Sequence, residues 1–215
     1  MKKEQSNNQK IMKSYITYIL SVIFLLLNGN VYAQEIAERR VEKEFSPSPE
    51  YLQINSKFGN VEILSSDEDQ IVVKAHLWVE SNNISKAENL LNKMDVEIFQ
   101  DGDKVIVNSV FSNMNTSASK TEFHIDFTIY APPQTNINLA NRYGSAFIEE
   151  ITGRVNIDFA HGNLKIDELL RGNEKPLNQL NLAYASASIS ETGWLKVDIS
   201  NSKLSVDEAD ALIIL

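Results

Sequence analysis

The chain has 215 residues with 29 acidic and 20 basic side chains, and its formal net charge is −9. Recognition of phosphate backbones needs clustered Lys and Arg, so this balance argues against nucleic acid as a partner. The absence of cysteine excludes disulfide bonds, thiolate chemistry and cysteine metal sites. It also excludes a lipid-modified cysteine after the N-terminal segment.

The first 33 residues have the pattern of a secretory signal peptide. Four lysines precede an apolar stretch at residues 16–27, and Val31 and Ala33 stand where a signal peptidase reads small residues. We therefore predict export to the periplasm or the cell surface, which leaves 182 residues and a net charge near −12. The apolar stretch is short for a membrane span, so membrane contact is expected only through an uncleaved N-terminus.

Residues 34–49 are a charged lead segment, either loose or a first edge strand, and residues 50–135 are predicted to form a β-rich region with one helix. Alternation of apolar and polar residues indicates strands at 71–79, 105–111 and 123–130. Asp101-Gly102 predicts a tight hairpin turn. The helix is predicted at residues 85–94, with Ser85 as N-cap and Glu88 three residues on. Residues 112–121 are predicted to form a polar loop.

Five copies of one short pattern organise the sequence, one near residue 59 and four between residues 139 and 214. Each copy is centred on a small residue, which follows an aliphatic residue by five positions and precedes a β-branched residue by four. The small residues are Gly59, Gly144, Gly162, Ala185 and Ser202. The residues directly before them are Phe58, Tyr143, His161, Tyr184 and Asn201.

Units of about 20 residues can bury an apolar face only against their neighbours, as in a solenoid. We therefore predict an all-β fold in which residues 136–215 form a right-handed β-solenoid of short rungs. Each rung has two strands with the small residue at the corner between them. The interior column should consist of Ile148, Ile166, Ile189 and Val206. The alternative is an antiparallel sandwich of short strands, which shows similar alternation.

Three features occur in order within residues 50–215: the run FTIYAPP at 127–133, NINL at 136–139 followed by Tyr143-Gly144, and repeated Gly-x-Leu-x-Ile units. Together they resemble the toastrack (DUF4097) family of adhesin-like bacterial envelope proteins. The resemblance implies export, an all-β fold built of β-solenoid rungs and an adhesive role, and it supplies no active site. Ala185 and Ser202 depart from the glycine of the family pattern.

The last four residues, 212–215, are apolar, whereas a solenoid normally ends in a polar cap. Two expectations follow. The native chain continues beyond Leu215, which we favour, or a partner covers the last rung, including a second copy of the chain by self-association.

Stacking in register predicts two outward columns of polar side chains. One column consists of Glu149, Asp167 and Asp207, broken by Ser190. The other consists of Asp158, Asn181 and Asp198. Strands lie about 4.8 Å apart, so these carboxylates must be solvated, paired with lysines or bridged by a cation. Calcium prefers such oxygen ligands, which makes the columns a candidate calcium site against the simpler reading of a solvated face. No other cofactor or metal is predicted.

Tyr143 and Tyr184, with Phe58 and His161 at the equivalent positions, are predicted to stack at the corners. An exposed stack is a candidate binding site for sugar rings, whereas an internal stack closes the corner. We favour the internal stack. Substitution of Tyr143 and Tyr184 distinguishes the two kinds of stack. An exposed binding stack predicts a loss of glycan binding, whereas an internal stack predicts a loss of stability.

The sequence contains no recognised catalytic motif. His124 and Asp126 have the spacing of a general base and its orienting group, but any polar strand face gives that spacing. We therefore predict a non-catalytic, exported, adhesin-like binding or structural module of the bacterial cell envelope, with a glycan or protein partner. The alternatives are a periplasmic stress-sensing or regulatory domain and a polysaccharide-active β-helix enzyme.

Overall fold

Fourteen β-strands and one α-helix form residues 35–112 and 121–215, the part of the chain that this computed structural model describes. The strands are β1 (Glu35–Phe45), β2 (Tyr51–Lys57), β3 (Val61–Ser65), β4 (Ile71–Ser81), β5 (Met94–Asp101), β6 (Lys104–Phe111), β7 (Thr121–Ala131), β8 (Asn136–Arg142), β9 (Ala146–Ile151), β10 (Val155–Ala160), β11 (Asn163–Leu169), β12 (Asn178–Ala183), β13 (Ser186–Ser200) and β14 (Lys203–Ile214). The helix, α1, spans Ile84–Leu91. The all-β prediction with one helix is confirmed there, whereas the predicted signal peptide and residues 113–120 of the polar loop lie outside the described residues.

Five stacked rungs make up most of the sheet. They are β2 with β3, β8 with β9, β10 with β11, β12 with the first half of β13, and the second half of β13 with β14. The first strands pair in parallel in the order β2, β8, β10, β12, β13, and the second strands in the order β3, β9, β11, β13, β14. This parallel pairing makes the antiparallel-sandwich alternative wrong for residues 136–215.

The predicted interior column is present. Ile166 is aligned with Ile148 on one side and with Ile189 on the other, and Ile189 is aligned with Val206. The three isoleucines are at most 1% exposed, whereas Val206, in the outermost rung, is only half-buried. A second aligned column joins the same hydrophobic cluster and consists of Leu139, Ile157, Leu180 and Val197. The first strands of the rungs form one stack and the second strands form another, and the two stacks share one core.

The strand β13 has 15 residues and belongs to both stacks. Its first half pairs with β11 as far as Thr192, and its second half pairs with β12 from Leu195 onwards. In the two preceding rungs the corresponding segment is a loop, at residues 152–154 and 170–177. One unbroken strand therefore joins the two stacks at this level.

Antiparallel strands complete the sheet at the opposite end from β14. The strands β1, β4 and β7 are neighbours in one stack, and β5 and β6 form a hairpin that extends the other stack. The charged lead segment is thus the edge strand β1. The predicted turn at Asp101-Gly102 is confirmed, because Asp101 is paired with Lys104 and Gly102 has a φ of 61°.

The helix α1 begins earlier than the sequence predicted. Asn83, not Ser85, is the N-cap, and its side chain accepts a hydrogen bond from the backbone N–H of Lys86 at 3.0 Å. Asn caps a helix at least as well as Ser, so the earlier cap competes successfully, and this start buries Ala87 against the sheet. No helix among the described residues has the length and apolar character needed to span a bilayer.

Side chains of β1 bridge the two edges of the sheet. The Arg39 guanidinium donates to the carbonyl oxygen of Met94, and Lys43 Nζ donates to the carbonyl oxygen of Ile98 at 2.6 Å. These carbonyls belong to β5, the edge strand of the other stack. Unpaired edge groups invite association with other chains, so the two cations protect this edge.

Candidate functional site

Each rung turns its corner at a residue in the left-handed backbone conformation. The φ values are 54° at Phe58, 61° at Tyr143, 57° at His161, 51° at Tyr184 and 49° at Asn201. This conformation costs an L-residue about 1–2 kcal/mol, and it is rare for bulky side chains. The sequence analysis assigned the corner to the small residue, whereas the structure assigns the unusual φ to the residue before it. We call these five residues the corner ridge.

At Gly144 and Gly162 the close approach of the preceding rung leaves no room for a side chain. A Cβ atom on Gly144 would lie 1.8 Å from the carbonyl oxygen of Gly59, and one on Gly162 would lie 1.9 Å from that of Gly144. Contacts under 3 Å with backbone cannot be relieved by moving a side chain. In the last corner the small residue is Ser202, whose Oγ accepts a hydrogen bond from the backbone N–H of Ala185 at 2.9 Å.

The aromatic side chains of the corner ridge stack face to face. The ring centroids are 5.2 Å apart for Phe58 and Tyr143, 4.7 Å for Tyr143 and His161, and 5.3 Å for His161 and Tyr184, with interplanar angles of 11°, 2° and 5°. These separations are close to the strand spacing of about 4.8 Å, so register alone brings the rings together. The predicted stack is therefore present.

The stack is exposed rather than internal. The exposed fraction is 49% for Tyr143 and 60% for Tyr184, so the internal stack that the sequence analysis favoured is wrong. The binding role of these tyrosines stays a prediction.

The two ends of the stack differ. At the first end, Phe58 meets Phe111 and Phe123 edge-on at 5.6 and 5.5 Å. Neither phenylalanine belongs to the repeat, so no signal in the pattern identified them. At the other end Tyr184 stacks on His161 alone, and the next corner residue is Asn201. Within the corner ridge, Tyr143 and His161 are therefore stacked on both faces, whereas Tyr184 is stacked on a ring on one face alone.

A cavity of about 750 Å³ opens beside Tyr184. Its lining combines that ring with Ile199 and with the three residues of the last corner, Asn201, Ser202 and Lys203. The surface beside Tyr184 is therefore a shallow depression with one cationic side chain at its rim, that of Lys203.

The predicted column of Asp158, Asn181 and Asp198 is aligned on the outer face of the first strands. The Asn181 amide donates to Asp158 Oδ1 at 2.5 Å, so an amide separates the two carboxylates. Beside the column, a groove of about 410 Å³ is floored by the small residues Ala160 and Ala183. The calcium role of this column stays a prediction.

The other predicted column lies on the second strands. Glu149, Asp167, Ser190 and Asp207 directly follow the four aligned residues of the interior column. Lys165 pairs with Asp167 at 2.7 Å, and Glu149 accepts a hydrogen bond from the backbone of Ser65 at 2.9 Å.

The sequence analysis missed a second acidic column beside this one. Its members are aligned from rung to rung and are Glu150, Glu168, Glu191 and Glu208. We call the two columns together the acidic seam. Within residues 35–112 and 121–215, no three His, Cys, Asp or Glu side chains are grouped so as to hold a metal ion. The calcium role stays a prediction.

His124 and Asp126 are both engaged in packing contacts. The His124 ring stacks on Trp78 at a centroid distance of 4.5 Å, and the Trp78 indole N–H donates to Asp126 Oδ2 at 2.9 Å. Asp126 Oδ1 accepts from the backbone N–H of Asn60 at 2.7 Å. Asp126 therefore ties β4 and the first corner to β7 instead of orienting His124.

His76 lies on the same outer face and pairs with β1. Its Nε2 is 2.7 Å from Glu38 Oε2. This hydrogen bond, followed by that from Arg40, lowers the pKa of the Glu38 carboxyl below its ordinary value. The contact joins β1 to β4 on the face opposite to Arg39 and Lys43.

Comparison with known proteins gives structural neighbours only. No family model matches the chain, and no curated protein matches it. A "putative cell adhesion protein" from Clostridium sporogenes is similar at 13% identity and a TM-score of 0.42, over 83% of this chain and 98% of that one. "Putative adhesins" from Bacteroides fragilis and Parabacteroides distasonis are similar at 10% and 13% identity, with TM-scores of 0.29 and 0.30, over 82% and 80% of this chain and 97% and 76% of theirs. Likeness at this level transfers no function.

Proposed function

We propose that the chain is a non-catalytic, exported, adhesin-like binding module of the bacterial cell envelope, which presents its corner ridge to a glycan or protein. The observation that supports this role is that the corner ridge combines a strained, left-handed backbone with exposed aromatic side chains. Tyr143 and Tyr184 keep a costly backbone conformation while about half or more of each side chain stays in water. Strained residues of this kind cluster at functional sites.

The scaffold suits a binding surface. We read the stacked rungs as a right-handed β-solenoid, in which the corners at Tyr143, His161 and Tyr184 are fixed by parallel pairing with the corners on both sides. A site built on strands is held more precisely than a site on loops. The engagement of His124 and Asp126 in packing supports a role without catalysis.

The binding role is tested by removing the exposed rings. We expect the double variant Tyr143→Asn/Tyr184→Asn to lose binding of the labelled chain to intact bacterial cells and to a glycan array. Asn is chosen because Asn201 holds the same φ at an equivalent corner. The matched control is Phe99→Asn, which removes a ring that is 44% exposed on β5, away from the corner ridge. Unchanged binding by the double variant would contradict the proposal.

The export part is tested separately. We expect an externally added protease to degrade the native protein on intact cells, or only after the outer layer is opened if the protein is periplasmic. Deletion of residues 1–33 should leave it in the cytoplasm. Cytoplasmic location of the undeleted chain would refute the envelope role and leave the binding result unaffected.

A further inference from the structure

Two cationic residues lie side by side on the first two rungs, directly before the corner ridge. Lys57 of β2 is aligned with Arg142 of β8, and both side chains are exposed. The backbone holds them together, because the N–H of Phe58 donates to the carbonyl oxygen of Arg142 at 3.0 Å. Paired strands lie about 4.8 Å apart, so the two charges are close neighbours. We call Lys57 and Arg142 the cation pair.

The cation pair lacks a compensating carboxylate. Neither side chain forms a salt bridge with any residue in the described ranges 35–112 and 121–215, although the chain has 29 acidic residues against 20 basic ones. Like charges directly opposite each other on paired strands destabilise a sheet. An anion that binds between the two side chains would relieve this repulsion.

The cation pair lines a shallow depression on the outer face of β2, β6 and β8. The other lining residues are uncharged, and they are Asn55, Ser56, Ser109, Phe111 and Ala140. The depression therefore carries two positive charges and no negative one.

The acids aligned with this depression lie on the bordering strands β10 and β5, and each of them is held by an amide. Asp158 is aligned with Ala140 and accepts a hydrogen bond from the Asn181 side chain. Glu97 is aligned with Asn108 and accepts a hydrogen bond from its side chain at 3.2 Å. Both carboxylates therefore have partners other than the cation pair.

Aromatic contacts link the depression to the exposed part of the corner ridge. Phe111, which lines the depression, meets Phe58 edge-on at 5.6 Å, and Phe58 stacks on Tyr143 at 5.2 Å. Phe58 and Tyr143 directly follow the two cationic residues in the sequence. A continuous set of contacts therefore joins the cation pair to a ring that is 49% exposed.

We propose that this depression binds an oxyanion of an acidic polysaccharide, a carboxylate or a sulfate, between Lys57 and Arg142, with the sugar chain continuing along Tyr143. This inference rests on the proposed binding function and specifies its ligand class. Arg presents a planar fork that matches two oxyanion oxygens, and Lys adds a point charge. A neutral glycan would leave the repulsion within the cation pair unrelieved.

The ligand class is tested with three oligosaccharides in titration calorimetry of the full chain. A hyaluronan hexasaccharide carries carboxylates, a keratan sulfate hexasaccharide carries sulfates without carboxylates, and chitohexaose is uncharged. We expect at least one acidic probe to bind, and chitohexaose to bind at least about tenfold more weakly, as for the loss of two exposed ion pairs. The acidic probe that binds more tightly identifies the oxyanion.

The site is tested by neutralising the cation pair. Lys57→Gln and Arg142→Gln should each weaken binding of the acidic probe about threefold, and the double variant about tenfold. The matched control is Lys86→Gln/Lys93→Gln, which removes the same charge from two exposed lysines outside the depression and should change binding by less than about twofold. High salt should reduce the difference between acidic and neutral probes.

The melting temperature gives a readout that does not depend on ligand. Without ligand at low salt, Lys57→Gln/Arg142→Gln should melt at a higher temperature than the unaltered chain, because the repulsion between the two cations is gone. A structural role of the cation pair predicts the opposite, a lower melting temperature.

Four outcomes would overturn the inference. They are absence of binding by both acidic probes at millimolar concentration, equally tight binding of chitohexaose, equal losses in the control variant, and a lower melting temperature of the cation-pair variant. In each case the cell-binding result for Tyr143→Asn/Tyr184→Asn still decides the proposed function by itself.

Discussion

At the scale of single residues, the corners show two different demands on neighbouring positions. The residue before the small one takes a left-handed φ, and the small one leaves room for the carbonyl of the preceding corner. An aromatic residue tolerates the first demand here because stacking on the rings above and below offsets part of the cost, about 0.5–1.5 kcal/mol for each aromatic pair. The left-handed φ explains neither the aromatic ring of Tyr143 nor the following glycine, and the lack of space explains Gly144 alone.

The second demand is tested by Gly144→Ala. The added methyl group would lie 1.8 Å from the carbonyl oxygen of Gly59, so the rungs must separate. We expect a loss of at least about 1–3 kcal/mol in the free energy of unfolding, measured by urea denaturation. The control is Gly172→Ala, where no heavy atom lies within 4 Å of the new methyl group. A loss for Gly144→Ala as small as that of the control would refute the close approach.

At the scale of elements, each strand of the rungs depends on register with its neighbours, whereas β1 and β5 are joined by side chains. Arg39 and Lys43 are four residues apart and reach carbonyl oxygens that are also four residues apart, those of Met94 and Ile98. The two strands therefore close one end of the sheet without a backbone ladder between them.

This closure predicts the behaviour of β5 in a variant with Arg39→Ala and Lys43→Ala. We expect faster amide hydrogen exchange in residues 94–101, since the hairpin of β5 and β6 loses its contacts to β1 and opens more often. Arg40→Ala is the matched control, because Arg40 lies on the same strand and bonds Glu38 instead. Equal acceleration in the control would show that charge on β1, not the bridge, protects the hairpin.

At the scale of the whole molecule, the acidic seam follows one side of four rungs. Like charges on paired strands repel, so the seam opposes the stacking that the interior column favours. Lys165 compensates only Asp167. Solvation and salt weaken this repulsion between carboxylates, so the rungs remain stacked in spite of the acidic seam.

The seam predicts that Glu168→Gln stabilises the protein. Glu168 is aligned with Glu150 and Glu191, so its neutralisation removes repulsion on both sides. We expect a rise in melting temperature that is larger at low salt, and no rise for Glu88→Gln on the exposed side of α1. Several millimolar calcium in the same melts tests the calcium prediction. No shift with calcium would end that prediction.

The sequence predicted those parts of the fold that repeat. Alternation and the spacing from Ile148 to Val206 were enough to place the interior column, because register turns a sequence period into a spatial one. The left-handed φ at Tyr143 was missed since an aromatic residue gives no sign of it. The closed end of the stack at Phe111 and Phe123 depends on segments outside the repeat, and the repeat pattern carries no information about them.

The passage of β13 through both stacks has a mechanical consequence. The fourth and fifth rungs are joined by one continuous strand, whose first half is hydrogen-bonded to β11 and whose second half is hydrogen-bonded to β12. The last rung therefore has no loop about which it could swing away, whereas residues 152–154 and 170–177 form loops at the two preceding connections.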